Sequence, residues 1–164
     1  MKIVIDTREQ TPWTFSSFGV ETEKRGLPTG DYTIAGLEDH ISIERKSFAD
    51  FLGSIGAGRE RFKREMHRLK AYDTRALIIE AAYSEIASGL IFAASRSTLH
   101  PNHVIGMIDS LIAFGIPVVL PGQRYAEVRA YNIMRQAYNR HVKSSKMFAG
   151  AKSIPAPPLH KDIA

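Results

Sequence analysis

The chain has no cysteine among its 164 residues. That excludes disulfide bridges and thiolate metal sites, and it fits an intracellular protein. Long hydrophobic runs are also missing: nothing approaches the ~20 apolar residues needed to span a bilayer. The start, Met1-Lys2-Ile3-Val4-Ile5-Asp6, reads directly into a strand instead of a signal peptide. The expectation is a cytoplasmic protein. There is no internal repeat, and the six histidines show no metal-ligand spacing. Neither sign of charge dominates, with 22 basic against 17 acidic residues and a net charge of +5. What remains is a chain of one-domain size, 44% hydrophobic and 24% charged, able to bury a core.

The charge is unevenly distributed. Residues 1–57 carry six basic and nine acidic residues, whereas residues 58–72 carry six basic and two acidic. Residues 124–146 carry six basic and one acidic. An acidic N-terminal third beside two basic segments suits a metal site next to a phosphate-binding surface. It equally suits two amphipathic helices with solvated basic faces.

Hydrophobic periodicity predicts strands at 2–6, 31–35, 40–46, 75–81 and 116–120, the last starting at Pro117 or lying at an edge. Residues 31–35 and 40–46, joined by a turn around Gly36, form a hairpin. Helices are expected from the Ser47 N-cap to Ile55, from Gly58 to Tyr72, at 84–92, at 101–114 and from Arg124 to Lys143. Interleaved strands and helices imply an α/β sandwich around a mixed sheet. From Ser144 the composition shifts to proline, glycine, alanine and serine, which reads as an extended or disordered tail. The domain is therefore assigned to residues 1–143 and the tail to 144–164.

Chemistry concentrates in Gly30-Asp31-Tyr32 and Glu44-Arg45-Lys46. Alternation puts Glu44 and Lys46 on one face of their strand and Arg45 on the other. The hairpin brings Asp31 beside Glu44, and the first strand ends at Asp6. Converging carboxylates repel one another unless a cation binds, and their hard oxygens suit Mg²⁺ or Mn²⁺. A neighbouring lysine can orient and polarise a water on that cation, which is a kit for phosphodiester hydrolysis. Taken alone, the same residues also fit a Gly-Asp turn and a strand that ends in solvated charges.

The pieces recur in a specific order. Asp6-Thr7-Arg8-Glu9, Gly30-Asp31-Tyr32, Glu44-Arg45-Lys46-Ser47-Phe48-Ala49-Asp50, Ser54-Ile55 with Gly58-Arg59, and Leu77-Ile78-Ile79-Glu80 follow one another across residues 6–80. This series resembles the nuclease domain of the XPF family of structure-specific DNA endonucleases. The resemblance implies a restriction-endonuclease-like fold, a mixed β-sheet flanked by helices, with a divalent metal and DNA as substrate. It implies metal ligation by Asp31, Glu44 and the Arg45 backbone carbonyl, with Lys46 handling the attacking water. Asp6, Arg8 and Glu9 complete the implied site. It also makes a homodimer through the C-terminal helices an expectation, with DNA repair or recombination as setting. The rival is a non-catalytic DNA-binding scaffold of the same fold, which the presence of Asp6, Asp31, Glu44 and Lys46 disfavours.

Other residues have a local reading. Asp50 completes a capping arrangement with Ser47 and could support the site through Arg45 or Lys46. Glu80 ends a strand and is expected to be solvated. Arg59 lies three and seven residues before Phe62 and Met66, so the spacing points it inward, toward the acidic site and the scissile phosphate. Arg8, Arg59, Arg61 and Lys63 are the expected nucleic-acid contacts. His100 and His103 read as surface or capping residues. Trp13, Phe15 and Phe18 either stack on bases or pin a loop to the core.

Overall fold

Six strands hydrogen-bond into one mixed sheet, and the direction of each strand decides which chain ends meet. The structure is a computed structural model that describes residues 1–92 and 98–151. Strand β1 is Lys2–Ile5, β2 Glu21–Lys24, β3 Tyr32–Ile34, β4 Ile41–Lys46, β5 Thr74–Ile79 and β6 Val118–Val119. Their order across the sheet is β2-β1-β3-β4-β5-β6. β3 runs antiparallel to both β1 and β4, while β1–β2, β4–β5 and β5–β6 are parallel pairs. The C-terminal ends of β1, β4 and β5 therefore share one edge with the N-terminal end of β3. That edge collects Asp6, Glu44–Lys46, Glu80 and Asp31.

The helices are α1 (Phe48–Ile55), α2 (Arg59–Lys70), α3 (Tyr83–Ala87), α4 (Pro101–Phe114) and α5 (Ala126–Ala151). One face of the sheet packs Leu77 and Ile79 against Phe51, Phe62, Met66, Leu69 and Ile108, from α1, α2 and α4. The other face packs Ile3, Ile43 and Ile78 against Ala126, Ala130, Met134 and Ala137 of α5. The spacing of these residues on α5 makes a narrow stripe at helical period, and its alanines let the helix axis lie close to the strands. Each face is covered, so interior strands read as apolar runs interrupted where the site begins.

The hairpin forms as expected, with Tyr32 opposite Ile43. Its entry depends on Gly30, which has φ +77°. A side chain there would collide with the Ser42 hydroxyl and stand 3.0 Å from the Ile43 carbonyl oxygen. Glycine is the residue that tolerates both constraints. Ser47 caps α1, its hydroxyl accepting from the Asp50 N–H at 3.1 Å.

Several expectations need correction. β2 was not anticipated, because Glu-Thr-Glu-Lys offers no apolar alternation; it is held by pairing with β1 and by the Lys2–Glu23 ion pair at 3.0 Å. The helix expected over 84–92 ends at Ala87, ahead of Gly89 in the left-handed region at φ +77°. α5 continues to Ala151, past the boundary set at Lys143, since nothing before Gly150 interrupts a helical sequence. The rest of the proposed tail, 152–164, lies outside the described residues.

The aromatic residues of the loop after β1 pin it to the core. Trp13 stacks on Tyr32 with centroids 4.9 Å apart, Phe15 meets Tyr32 edge-on at 5.5 Å, and Phe18 stacks on Tyr131 of α5 at 4.0 Å. Phe15 is fully buried with φ 54°, and its N–H donates to Glu127 on α5. That conformation is uncommon for a side-chain-bearing residue, and the Glu127 carboxylate helps hold it.

Gly30→Ala is expected to destabilise the protein by about 2 kcal/mol or more, because a strained φ and a steric overlap fall together. Thermal unfolding followed by circular dichroism checks this. An unchanged midpoint would show that the Gly-Asp turn adapts without strain.

Candidate functional site

Along β4 the alternation divides chemistry between two faces. Glu44 and Lys46 turn toward α2, and Arg45 turns toward the aromatic loop. Both Glu44 and Lys46 are buried. The Lys46 ammonium lies 3.0 Å from Glu44 Oε1 and 3.2 Å from Glu65 Oε2 on α2. It also lies 5.4 Å from the Phe62 ring centroid. Asp31 sits across the hairpin. Its backbone N–H donates to the Ile43 carbonyl at 2.8 Å, and its carboxylate accepts from the Arg45 N–H at 2.7 Å. The carboxylates of Asp31, Glu44 and Glu65 and the Lys46 ammonium line a cleft of about 750 Å³.

Burial dominates the ionisation of this cluster. It pushes the Asp31 carboxyl up to about 6, only partly offset by the Arg45 N–H bond, with Glu9 and Glu65 adding repulsion. Burial also raises Glu44 well above the ordinary glutamate range, with further repulsion from Asp31. Desolvation works against the charged form of Lys46, but Glu44 and Glu65 outweigh it and hold its proton more tightly than usual. These carboxylates carry more negative charge than one lysine compensates. A hard-oxygen donor set in that condition fits a divalent cation such as Mg²⁺ or Mn²⁺.

Asp6 is deeply buried but does not line the cleft. Its carboxylate accepts from Arg8 Nε and Nη2, each at 2.8 Å, from the Arg8 N–H at 2.7 Å and from the Leu27 N–H at 2.8 Å. The Arg8 bonds bring its pKa down to about 2. So Asp6 positions Arg8, and the exposed Arg8 guanidinium reaches the mouth of the cleft. Glu9 lines the same mouth, 3.4 Å from Arg45 Nη1.

The Arg45 side chain faces away from the carboxylates. Its Nε donates to Glu80 Oε1 at 2.9 Å, Nη1 donates to the Thr11 carbonyl at 2.5 Å, and the guanidinium lies 4.9 Å from the Trp13 ring. Glu80 also accepts from the Trp13 indole N–H at 3.2 Å. Glu80 is therefore a buried anchor for Arg45 and Trp13, in place of the expected solvated strand end. Asp50 lines the cleft while bonded to the Ser47 hydroxyl at 2.6 Å, as a cap residue should be.

The inward direction expected of Arg59 is corrected: it is exposed and does not line the cleft. At about 100° per residue, Arg59 lies roughly 60° round the helix from Phe62, on the flank away from the site. Arg61, Glu65 and Arg68 occupy the opposite flank and line the cleft. Lys63 is exposed and paired with Glu60 at 2.9 Å. Glu65 is the functional candidate that sequence reasoning missed. Its signal was its position four residues after Arg61, beside the Phe62–Met66–Leu69 core stripe.

The ERCC4 domain family model matches residues 5–120. The chain belongs to the ERCC4 domain family. No curated protein sequence matches it. Among solved structures, XPF from Aeropyrum pernix superposes with a TM-score of 0.66 at 21% identity, covering 96% of this chain and 76% of that one. A second structure, XPF from Aeropyrum pernix in complex with DNA, gives 0.62 at 22% identity over 85% of this chain and 66% of that one. At such identities the likeness is one of fold, and the ERCC4 domain here has the restriction-endonuclease-like α/β fold of those structures.

Asp31→Asn in this ERCC4 domain is expected to stabilise the metal-free protein. A carboxyl raised to about 6 contributes stability that is present below about 3.8 and is lost as pH rises through 6. The melting temperature in EDTA should therefore rise by about 3–6 °C at pH 8, with the gain vanishing near pH 4. An Asn variant no more stable than wild type at pH 8 would show that the carboxylate is not electrostatically frustrated.

Proposed function

We propose that this chain is a divalent-metal-dependent endonuclease that hydrolyses the DNA backbone, acting on branched or otherwise structured DNA. The observation that carries the reading is the buried Lys46 ammonium between Glu44 and Glu65, on the strand beside Asp31. Membership of the ERCC4 family supports DNA as substrate. So does the description of one structural neighbour as a complex with DNA.

Asp31, Glu44 and the Arg45 backbone carbonyl would hold Mg²⁺ or Mn²⁺, whose chemistry is to acidify bound water and offset charge on the phosphate. The protein's own groups divide the remaining work. Lys46 keeps its proton, so it acts as a hydrogen-bond donor and point charge toward the attacking water or phosphate, and not as the base. Glu65 and Glu44 hold that ammonium in place. Arg8, braced by Asp6, joins Arg61 and Arg68 at the cleft to engage flanking phosphates. Arg45, tied to Glu80, fixes the strand whose N–H orients Asp31.

The family resemblance extends to a homodimer through α4 and α5. Ile112 on α4 and Tyr125 just before α5, 51% and 55% exposed, are apolar groups that such a contact would cover. Among the described residues, no helix is long and apolar enough to cross a membrane.

The test is cleavage of labelled duplex, flap, splayed-arm and four-way-junction DNA with Mg²⁺, Mn²⁺ or EDTA. Cleavage should require the metal. Glu44→Gln should slow the single-turnover rate by about a thousandfold, roughly 4 kcal/mol in the barrier, while leaving DNA affinity within a few-fold. Salt-sensitive DNA binding by the wild type with no cleavage of any substrate would favour the scaffold instead.

The flanks of α2 give a sharper comparison. Arg61→Ala is expected to weaken DNA binding or slow cleavage by about tenfold, about 1.4 kcal/mol. Arg59→Ala, on the far flank, should change either by less than about twofold. Equal effects would mean that the basic surface of α2 acts as a whole.

A further inference from the structure

The sheet has a second edge, opposite the cleft. It holds the N-terminal ends of β4 and β5, where the preceding residues are His40 and Asp73. The backbone fixes them side by side: Ile41 pairs with Thr74, and the Thr74 N–H donates to the His40 carbonyl at 2.9 Å. His40 Nδ1 and Asp73 Oδ2 are 2.6 Å apart. From the face covered by α5, His141 brings its ring to 4.9 Å from that of His40. One ligand atom from each of His40, Asp73 and His141 lies within 4.8 Å of the other two.

We propose that His40, Asp73 and His141 form a zinc site, separate from the nuclease cleft, that staples α5 to the strand edge. Two imidazole nitrogens and one carboxylate oxygen form a borderline donor set that suits Zn²⁺ and not Mg²⁺. Tetrahedral ligation with bonds of about 2.0–2.1 Å puts ligand atoms about 3.3 Å apart. The ligand atoms already lie within 4.8 Å of one another, near enough for small side-chain adjustments to reach that value. The fourth position would be water.

The surroundings agree. The His40 contact holds the Asp73 carboxylate beside the ring with which it would share the ion. Neighbouring guanidiniums are engaged elsewhere. Arg75 donates to the Gly115 and Tyr72 carbonyls at 2.9 and 2.7 Å, and Arg140 donates to the Thr74 hydroxyl at 3.4 Å. The cluster also differs in construction from the cleft, being exposed and nitrogen-rich where the cleft is buried and oxygen-rich. His40, just before β4, and Glu44 within it stand four residues apart along extended chain, a Cα separation of about 13 Å, so one ion cannot serve both. The site would tie together the turn before β4, the turn before β5 and the helix that covers one whole face of the sheet.

The experiment uses the untagged 164-residue chain titrated with Zn²⁺ by calorimetry, with Co²⁺ absorption as a readout of ligand geometry. Wild type and Glu44→Gln should each bind one equivalent at this site, because Glu44 belongs to the cleft alone. His141→Ala and Asp73→Asn should each weaken that binding at least tenfold and abolish the tetrahedral Co²⁺ spectrum. Zn²⁺ should raise the melting temperature of the wild type by several degrees and leave that of His141→Ala unmoved. Mg²⁺-dependent cleavage by His141→Ala, measured without zinc, should match wild type, so failure of the nuclease reading would leave this result intact. Zinc binding that survives both His141→Ala and Asp73→Asn, or that disappears in Glu44→Gln, overturns the proposal. So does the absence of binding to the wild type.

Discussion

A lysine and a glutamate are buried together at the end of an interior strand, and most of the cleft follows from that. An isolated buried charge is strongly unfavourable, and even a pair is stable only when its remaining hydrogen-bonding capacity is met. Lys46 meets this condition with two carboxylates, Glu44 from its own strand and Glu65 from α2. The second contact fixes the rotational setting of α2. Glu65 must face the strand end, so Phe62, Met66 and Leu69 enter the core on one side of it, and Arg61 and Arg68 flank the opening on the other. One ionic contact thereby sets both a core stripe and a row of cations over the cleft.

The same balance leaves the acid side in excess. Asp31 is held against the site by the Arg45 N–H and by backbone pairing of the hairpin, so it cannot swing away to relieve its repulsion with Glu44. Asp6 shows the alternative fate of a buried carboxylate at this edge. Two hydrogen bonds from the Arg8 side chain and two backbone N–H groups satisfy it, and its pKa falls where that of Asp31 rises. Two aspartates at the ends of antiparallel neighbours, joined by the bond from the Asp6 N–H to the Asp31 carbonyl, thus have opposite electrostatic characters. The satisfied one braces the framework, and the frustrated one is available to a cation.

Periodicity made much of this legible. Alternation on β4 alone placed Glu44 and Lys46 together and Arg45 apart, and the Gly30–Asp31 turn placed the aspartate beside them. The Ser47 cap was equally readable, because all these rules act over a few residues. Where the deciding contact is distant in sequence, periodicity had nothing to offer. Glu80 reads as a solvated strand end until Arg45 and Trp13 arrive from elsewhere in the chain. The histidines show no ligand spacing because His40, Asp73 and His141 meet only through strand pairing and the docking of α5. Arg59 illustrates a finer limit. Counting by three and seven finds the neighbourhood of the core stripe but not its flank: Arg59 and Glu65 lie about 60° to either side of Phe62, one in solvent and one over the cleft. β2 was invisible for a simpler reason, since its side chains are polar and its strand character comes from pairing with β1.

The two edges of the sheet are exposed to different demands. At the cleft edge, strand ends must deliver charged groups into a low-dielectric space, and that edge is braced by close partners: Glu80 under Arg45, Leu27 and Arg8 around Asp6, Tyr32 under Trp13. At the opposite edge the residues before β4 and β5, His40 and Asp73, are polar and exposed, and α5 is tethered there by exposed contacts such as Arg140 to Thr74 and the ring of His141 against His40. Exposed contacts of this kind are individually weak. Yet α5 also anchors the aromatic loop through Glu127 and Phe15, and that loop supplies the Thr11 carbonyl and the Trp13 ring that hold Arg45. Movement of α5 would therefore reach Arg45, and through its backbone N–H the orientation of Asp31. The coupling of α5 to the cleft edge thus runs through its buried stripe and the Glu127–Phe15 bond, while the exposed contacts at the far edge can be lost without moving Arg45.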